Sequence, residues 1–465
     1  VRSLLFRNLI VVLTLALLAS ACGSEGSESA TTTEPTATEP TPAPTPTPAG
    51  PAQVDLATVP TGELIDFGPA PTVPTGDLSP EVLEAVNTLM GERLVSRIFD
   101  ELSFEAIRTI GASGDPRVAW WISDMMRVVR DRDLAAMLTV AAQDLLGIDI
   151  NPFDSWGTTT NHLIGWDIPA PPDYLTFKRN AYIVVEDEWD RLFVEDSEID
   201  WRLLSWGGVF IDSRPFDQTD NLCNCIPAAD NPINDEHRAY PRSIMEVREM
   251  VNDTLGGRDF AMPYCTLCGS AQVFFTDEMP DGIERPVLRT SGLLSRSNKV
   301  MYDVNTFSIF DTFLGKAVSG PLLEAGIELK QNSVITTTWG QWKESHPDTD
   351  VLDISLALGR PDSDLRNTRD ADGPIFPIGD VDPRLPVQED VLGLLTADGD
   401  PIAFHVNSAI AALERGEFIE VEGINVVLDG GGVKAVDGDG NDLGGHQAFW
   451  FAWSQFYPGT DLWPS

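Results

Sequence analysis

Histidine and cysteine are both scarce in this chain, with five of each in 465 residues. The histidines, His162, His237, His346, His405 and His446, are scattered, and no two stand at a metal-ligand spacing, which argues against a histidine-built metal centre. Of the five, His237, upstream of a cysteine pair, is the one nearest to candidate chemistry. Basic residues are also few: 31 Lys and Arg face 72 Asp and Glu, a formal net charge of -41. Phosphate backbones and anionic membrane surfaces would be repelled by such a chain, so no nucleic-acid partner is expected. Long apolar runs are missing apart from one at the start, Leu9 to Leu18, broken by Thr14. It falls short of the ~20 apolar residues of a spanning helix.

That run follows Arg2 and Arg7 and leads into Ala19-Ser20-Ala21-Cys22, the pattern of a lipoprotein signal peptide over residues 1–21. The expectation is cleavage before Cys22, a lipid on its thiol, and a protein anchored to the extracytoplasmic face of the membrane in the cell envelope. Residues 22–76 read as a linker. Pro35, Pro40, Pro42, Pro44, Pro46 and Pro48 crowd one stretch, and no large apolar residue occurs between Ser24 and Val54. Such a segment buries too little surface to offset its ordering entropy.

The remaining ~390 residues suffice for two or three domains with cores. The reading is α+β: a helical segment over 77–205, then a mixed, strand-rich body over 206–465. Ser79 and Pro80 open a helix with Val82, Val86, Leu89 and Met90 on one stripe. Asp115-Pro116 opens a second, with Val118, Trp121, Ile122 and Met125 inward, and Asp133 a third that stops at Gly147. Short helices joined by short polar turns suggest a HEAT-like array serving as scaffold or docking surface. Beyond Trp206 short apolar runs such as Val273 to Phe275 read as strands, and Ser243 to Asn252 as a helix. Ala239-Tyr240 and Ala403-Phe404 precede comparable segments, a faint echo of a duplication, too weak to count as a repeat.

Four cysteines remain, as Cys223-Asn224-Cys225 and Cys265-Thr266-Leu267-Cys268. Cys-x-x-Cys spacing lets two sulfurs meet each other or one metal ion. Gly269 and the apolar run after it favour a knuckle turn leading to a strand over the long helix that follows a thioredoxin-type pair. If the two pairs converge, four thiolates would bind zinc, or two cross-disulfides would form; Cys265 and Cys268 alone would be a redox pair. The stretch Thr290–Asp303 supplies Ser291, Ser295, Arg296, Asn298, Lys299 and Asp303 as pocket candidates. A serine-lysine nucleophile is disfavoured there, because Ser-x-x-Lys spacing is absent. Asp437 to Asp442 is no EF-hand loop, with Asp442 where Gly is needed and Ala448 where Glu is. The aromatics from Phe449 to Trp463 read as core before they read as a stacking surface.

Several of these segments together resemble the domain-of-unknown-function 3179 family. They are Tyr264 to Gly269, Thr290 to Asp303, Thr336 to Trp342, and Phe449 to Trp453 with Tyr457 to Thr460. The family has no assigned reaction. Some relatives are described as selenoproteins, so the resemblance implies thiol or selenol redox chemistry at Cys265 and Cys268. The chain departs from the pattern at Arg248, where relatives often have His, and between Pro232 and Arg238, which looks shortened. The reading left by the sequence is a thiol-based site, redox-active or metal-binding, with zinc as the candidate metal. The alternative is a non-catalytic binding or scaffold protein stapled by its cysteines.

Overall fold

Six α-helices open the described part of the chain. The structure is a computed structural model that describes residues 59–90, 94, 99–212, 229–233, 236–352 and 363–464, all within the unit Pro48–Ser465. Helix α1 (Pro80–Met90) begins at Ser79, whose hydroxyl accepts from the Val82 N–H at 3.3 Å. Pro80 occupies the first turn, where its missing N–H costs nothing. Helix α2 (Glu101–Gly111) starts with a reciprocal capping box between Asp100 and Ser103. Helix α3 (Ala119–Val128) follows a 3-10 turn at Pro116–Val118 capped by Asp115, and Trp121, Ile122 and Met125 are fully buried. Helix α4 (Arg132–Leu146) starts slightly earlier than expected, because Asp131 rather than Asp133 accepts the Leu134 N–H at 2.9 Å. It ends at Gly147, which takes the left-handed φ of 68°. Helices α5 (Ser155–Gly165) and α6 (Tyr174–Tyr182) pack against α3.

A buried polar network ties α3 to α6. Lys178 Nζ lies 2.7 Å from Asp124 Oδ1, and the hydroxyls of Tyr174 and Tyr182 donate to the same carboxylate at 2.6 and 3.1 Å. Burial pushes the Asp124 carboxyl up and the Lys178 amine down, and their mutual attraction opposes both shifts. Removing one partner would strand the other charge, so the network is held as a unit.

The strands follow. One sheet runs β1 (Leu204–Trp206), β8 (Leu288–Ser295), β9 (Asn298–Asp303), β10 (Ile309–Asp311). A second runs β11 (Gln331–Asn332), β7 (Val273–Phe275), β5 (Arg258–Cys265), β4 (Met250–Leu255), with β6 (Ser270–Ala271) pairing β5. The β8–β9 hairpin is a shared wall. Leu293, Val300 and Tyr302 join the helical core, whereas Leu288 and Met301 face Met250, Ala261 and Phe274 of the second sheet. A small sheet of β2 (Ala229–Ile233), β3 (Glu236–Ala239) and β12 (Asp350–Val351) lies beyond β4.

The C-terminal part repeats the strand-and-helix texture. Strands β13 (Asp390–Leu395), β14 (Pro401–His405), β18 (His446–Phe449) and β19 (Asp461–Trp463) form one sheet, and β15 (Ile419–Val421), β16 (Ile424–Asp429) and β17 (Gly432–Val436) another. The architecture is α+β. Phe449, Trp450, Phe451 and Trp453 are buried, and they build the core around Cys265 and Cys268. The segment expected as a helix to Asn252 instead makes α7 (Arg242–Arg248) and then β4. Glu249 takes a left-handed φ of 63°, which ends the helix, and the Gly256-Gly257 turn folds β4 onto β5. Helices α8 (Trp339–Ser345) and α9 (Val406–Glu414) lie farther along the chain. Among the described residues no helix is long and apolar enough to cross a membrane.

Candidate functional site

Strand β5 ends on Cys265, and the chain turns through Thr266, Leu267, Cys268 and Gly269 before pairing back as β6. The turn is a knuckle: the Cys268 N–H donates to the Cys265 carbonyl at 3.2 Å and the Gly269 N–H to the Thr266 carbonyl at 3.3 Å. Gly269 takes φ +59°, and a Cβ there would meet the Phe449 ring at 2.8 Å, so both conformation and space call for glycine. The Phe449 N–H in turn donates to the Cys268 carbonyl at 2.7 Å, locking β18 to the knuckle.

Both cysteines are free thiols in this structure. They are buried, Cys265 at 4 % and Cys268 at 0 % exposure. Their nearest backbone acceptor is the Ser297 carbonyl, 3.4 Å from Cys268 Sγ and 3.9 Å from Cys265 Sγ. Ser297 sits with Arg296 in the two-residue turn between β8 and β9, and both take left-handed φ, 47° and 63°. Such turns suit Asn-Gly, so the Arg-Ser pair is strained by roughly 1–3 kcal/mol per residue. Bonds from the Arg296 N–H to the Leu203 carbonyl and from the Ser297 hydroxyl to the Pro377 carbonyl, at 3.1 and 2.7 Å, hold it in place.

The two thiols are electrostatically unequal. Burial pushes Cys265 up, but the Cys268 thiol, the N–H groups of Lys299 and Cys268 and the Lys299 charge outweigh it, leaving Cys265 below the ordinary thiol range. Burial and the neighbouring Cys265 push Cys268 well above it. Lys299 is 4 % exposed and donates to the Glu249 carbonyl, with the Glu249 carboxylate at 3.2 Å. Its amine is lowered by burial, against the pull of Glu249 and Cys265. Negative charge is therefore better tolerated on Cys265 than on Cys268.

Of the other candidates, Lys299 acts on a sulfur through its charge, which bears on Cys265 while its amine is held by Glu249. Ser291 is spent on the Val300 carbonyl, and Asp303 on the Thr306 hydroxyl and the N–H groups of Thr306 and Val287. Ser295 and Asn298 pair across the hairpin beside the turn, and Arg296 is half-buried in it. Cys223, Cys225 and Cys22 lie outside the described residues. Among those described, no group of three or more His, Cys, Asp and Glu comes together as a metal could require.

Two contacts escaped sequence reading because their members lie far apart in the chain. His405, at the start of α9, places Nδ1 2.6 Å from the Ser408 hydroxyl and Nε2 2.8 Å from Glu389 Oε1. The His405 contact, with a bond from Asn407, holds the Glu389 carboxyl below its usual range despite burial. His346 lies 2.6 Å from Asp429 Oδ1, stacks on Trp342 at 3.8 Å and sits tilted against His237 at 4.2 Å, while Lys434 bonds the other Asp429 oxygen at 2.5 Å. Both tie helix ends to strands.

These features define an α+β protein with a buried Cys-x-x-Cys knuckle set against a lysine-bearing hairpin. The chain belongs to the DUF3179 family: residues 217–460 match the family described as protein of unknown function (DUF3179). No curated protein and no solved structure matches it.

Proposed function

We propose that Cys265 and Cys268 are a thiol–disulfide exchange pair, with Cys265 the attacking sulfur. The carrying observation is geometric: two free thiols meet at the knuckle on the one Ser297 carbonyl, with the Lys299 charge and the N–H groups of Lys299 and Cys268 favouring charge on Cys265. Cys265 thiolate attacks a substrate disulfide, forming a mixed disulfide as the substrate S–S bond breaks and one substrate thiolate leaves. Cys268 then loses its proton and attacks Cys265 Sγ, which closes the internal disulfide and releases the second substrate thiolate. Two electrons pass to the substrate, and an external dithiol must restore the pair. Because both sulfurs are buried, substrate access requires the strained Arg296-Ser297 turn to move. In this reading the lipid on Cys22 holds the protein on the extracytoplasmic face of the membrane. The helical layer is read as a HEAT-like scaffold, and a duplication of β3 with α7 and β14 with α9 is supported by pairing rather than sequence, since each strand is antiparallel to the one before it and parallel to a later one.

The test is thiol alkylation against pH on the folded protein, with reduction of a model disulfide as second readout. Cys265 is expected to titrate below an ordinary thiol. Lys299→Met should raise its midpoint, and Cys268→Ser should trap a mixed disulfide at Cys265. Thiols that stay unreactive in the folded protein, with no disulfide reduction, would sink the exchange reading.

The knuckle turn favours a second reading, in which Cys223 and Cys225 complete a four-thiolate zinc site. About one zinc per chain after purification, lost with melting temperature in Cys265→Ser, would decide for it.

A further inference from the structure

A cleft of about 250 Å³ opens on the face of β5 opposite to the sulfurs. Successive strand residues point to opposite faces, so Tyr264 lines this cleft while Cys265 faces the knuckle core. Its floor is Met245, Met262 and Tyr264, each at most 8 % exposed. Its far wall is the segment Val334–Thr338 running into α8, with Trp342 buried at the base and Trp339 at the rim, 45 % exposed.

The chemistry of the lining narrows what fits. Methionines adapt to varied apolar shapes, and four aromatic side chains, Tyr240, Tyr264, Trp339 and Trp342, offer ring contacts. The polar groups are largely occupied: Tyr240 donates to Asp253 at 2.6 Å, Thr337 to the Gly430 carbonyl at 2.7 Å and Thr338 to Gln341 at 2.7 Å. Arg242 also borders the cleft, but Glu246 at 3.1 Å and Asp364 at 3.5 Å already balance its charge. An anion would gain no uncompensated cation from it, and the chain's net charge of -41 works against anions generally. The volume lies just below the roughly 300–1,000 Å³ of drug-sized pockets, which sets the ligand at one or two rings.

We propose that this cleft binds an uncharged one- or two-ring compound, seated on Met245, Met262 and Tyr264 and covered by Trp339. The site is independent of the thiol reading, since its occupant lies on the other face of β5 and needs neither sulfur.

Saturation-transfer NMR on the full chain tests it with indole, p-cresol and cyclohexanol as uncharged probes and p-hydroxybenzoate and choline as charged ones. At least one uncharged probe should bind saturably. Trp339→Ala, at an exposed position, should weaken that binding about tenfold, the loss expected of one ring contact. Ala271→Leu, which fills the cleft beside Tyr264, should abolish it. The proposal is overturned if no uncharged probe saturates on the folded chain, if binding survives Trp339→Ala unchanged, or if a charged probe binds best.

Discussion

Single residues in this fold set their own pH dependence by where they are buried. His446 is 3 % exposed and stacked flat on Phe313, with centroids 4.2 Å apart. Burial pushes its imidazole down to about 4, and among the described residues neither ring nitrogen has a hydrogen-bond partner within bonding geometry to offset the loss of water. In the unfolded chain it would titrate near 6.5. Between these values the unfolded state binds the extra proton, so stability is fully present above pH 6.5 and falls as the pH drops towards 4. The whole effect is about 3 kcal/mol, since each tenfold change in proton affinity is worth about 1.4 kcal/mol. Urea unfolding of wild type and His446→Leu at pH 7 and pH 5 checks it: wild type should lose about 2 kcal/mol more than the variant on acidification. An equal loss in both would remove His446 as the cause. At this scale the sequence was only half legible. The Cys-x-x-Cys pair and Lys299 were both visible as reactive residue types, but their conjunction was not. It depends on the β8–β9 turn folding over the knuckle, a tertiary event that no local spacing encodes.

Elements were most legible where cap and stripe agree. Ser79-Pro80 and Asp115-Pro116 mark helix starts in the sequence, and the apolar stripes of α1 and α3 are buried as their spacing predicts. Helix α5 has Gly157, Thr158, Thr159, Thr160 and Gly165, all poor helix formers, and rests on the Asp154 cap and tertiary packing. Strand β4 was hidden in a helical-looking run because long-range pairing with β5 overrode the local period. The knuckle gives a sharper test of what an element needs. Gly269 and Gly257 both take positive φ, +59° and +76°, but only at Gly269 does a Cβ meet another group, the Phe449 ring at 2.8 Å. Gly257→Ala should therefore cost about 1 kcal/mol, the conformational penalty alone. Gly269→Ala should cost roughly 2–4 kcal/mol, because overpacking adds to it. Chemical denaturation of both variants measures the difference. Equal losses would mean that Phe449 yields freely and that the knuckle is not clamped by β18.

At the scale of the whole molecule, the family-matched segment 217–460 does not carry its own complete core. Leu293, Val300, Tyr302 and Ile309 of that segment are buried against α1–α6 and the turns that follow them, in one cluster with Trp120, Trp121 and Trp189. The Trp189 indole N–H donates to the Ser291 carbonyl at 2.8 Å, and Asn161 accepts from the N–H groups of Ile378 and Gly379 at 3.0 and 2.8 Å. Cutting the helices away would expose one face of the β8–β9 hairpin. Four large side chains returned to water lose roughly 6–12 kcal/mol at 1.5–3 kcal/mol each. That is comparable to the ~5–15 kcal/mol by which whole proteins are stable. The same hairpin carries Lys299 and the Ser297 carbonyl, so loss of its backing would also loosen the dithiol. Expressed alone, residues 217–460 should bind a hydrophobic dye, lack a cooperative urea transition and show ordinary rather than displaced thiol titration. The chain from residue 59 onward should unfold in one transition, seen alike by tryptophan fluorescence and by thiol exposure. A fragment that unfolds cooperatively at the midpoint of the longer chain would show that the helical layer is an accessory, and that the β8–β9 wall is held from the sheet side alone.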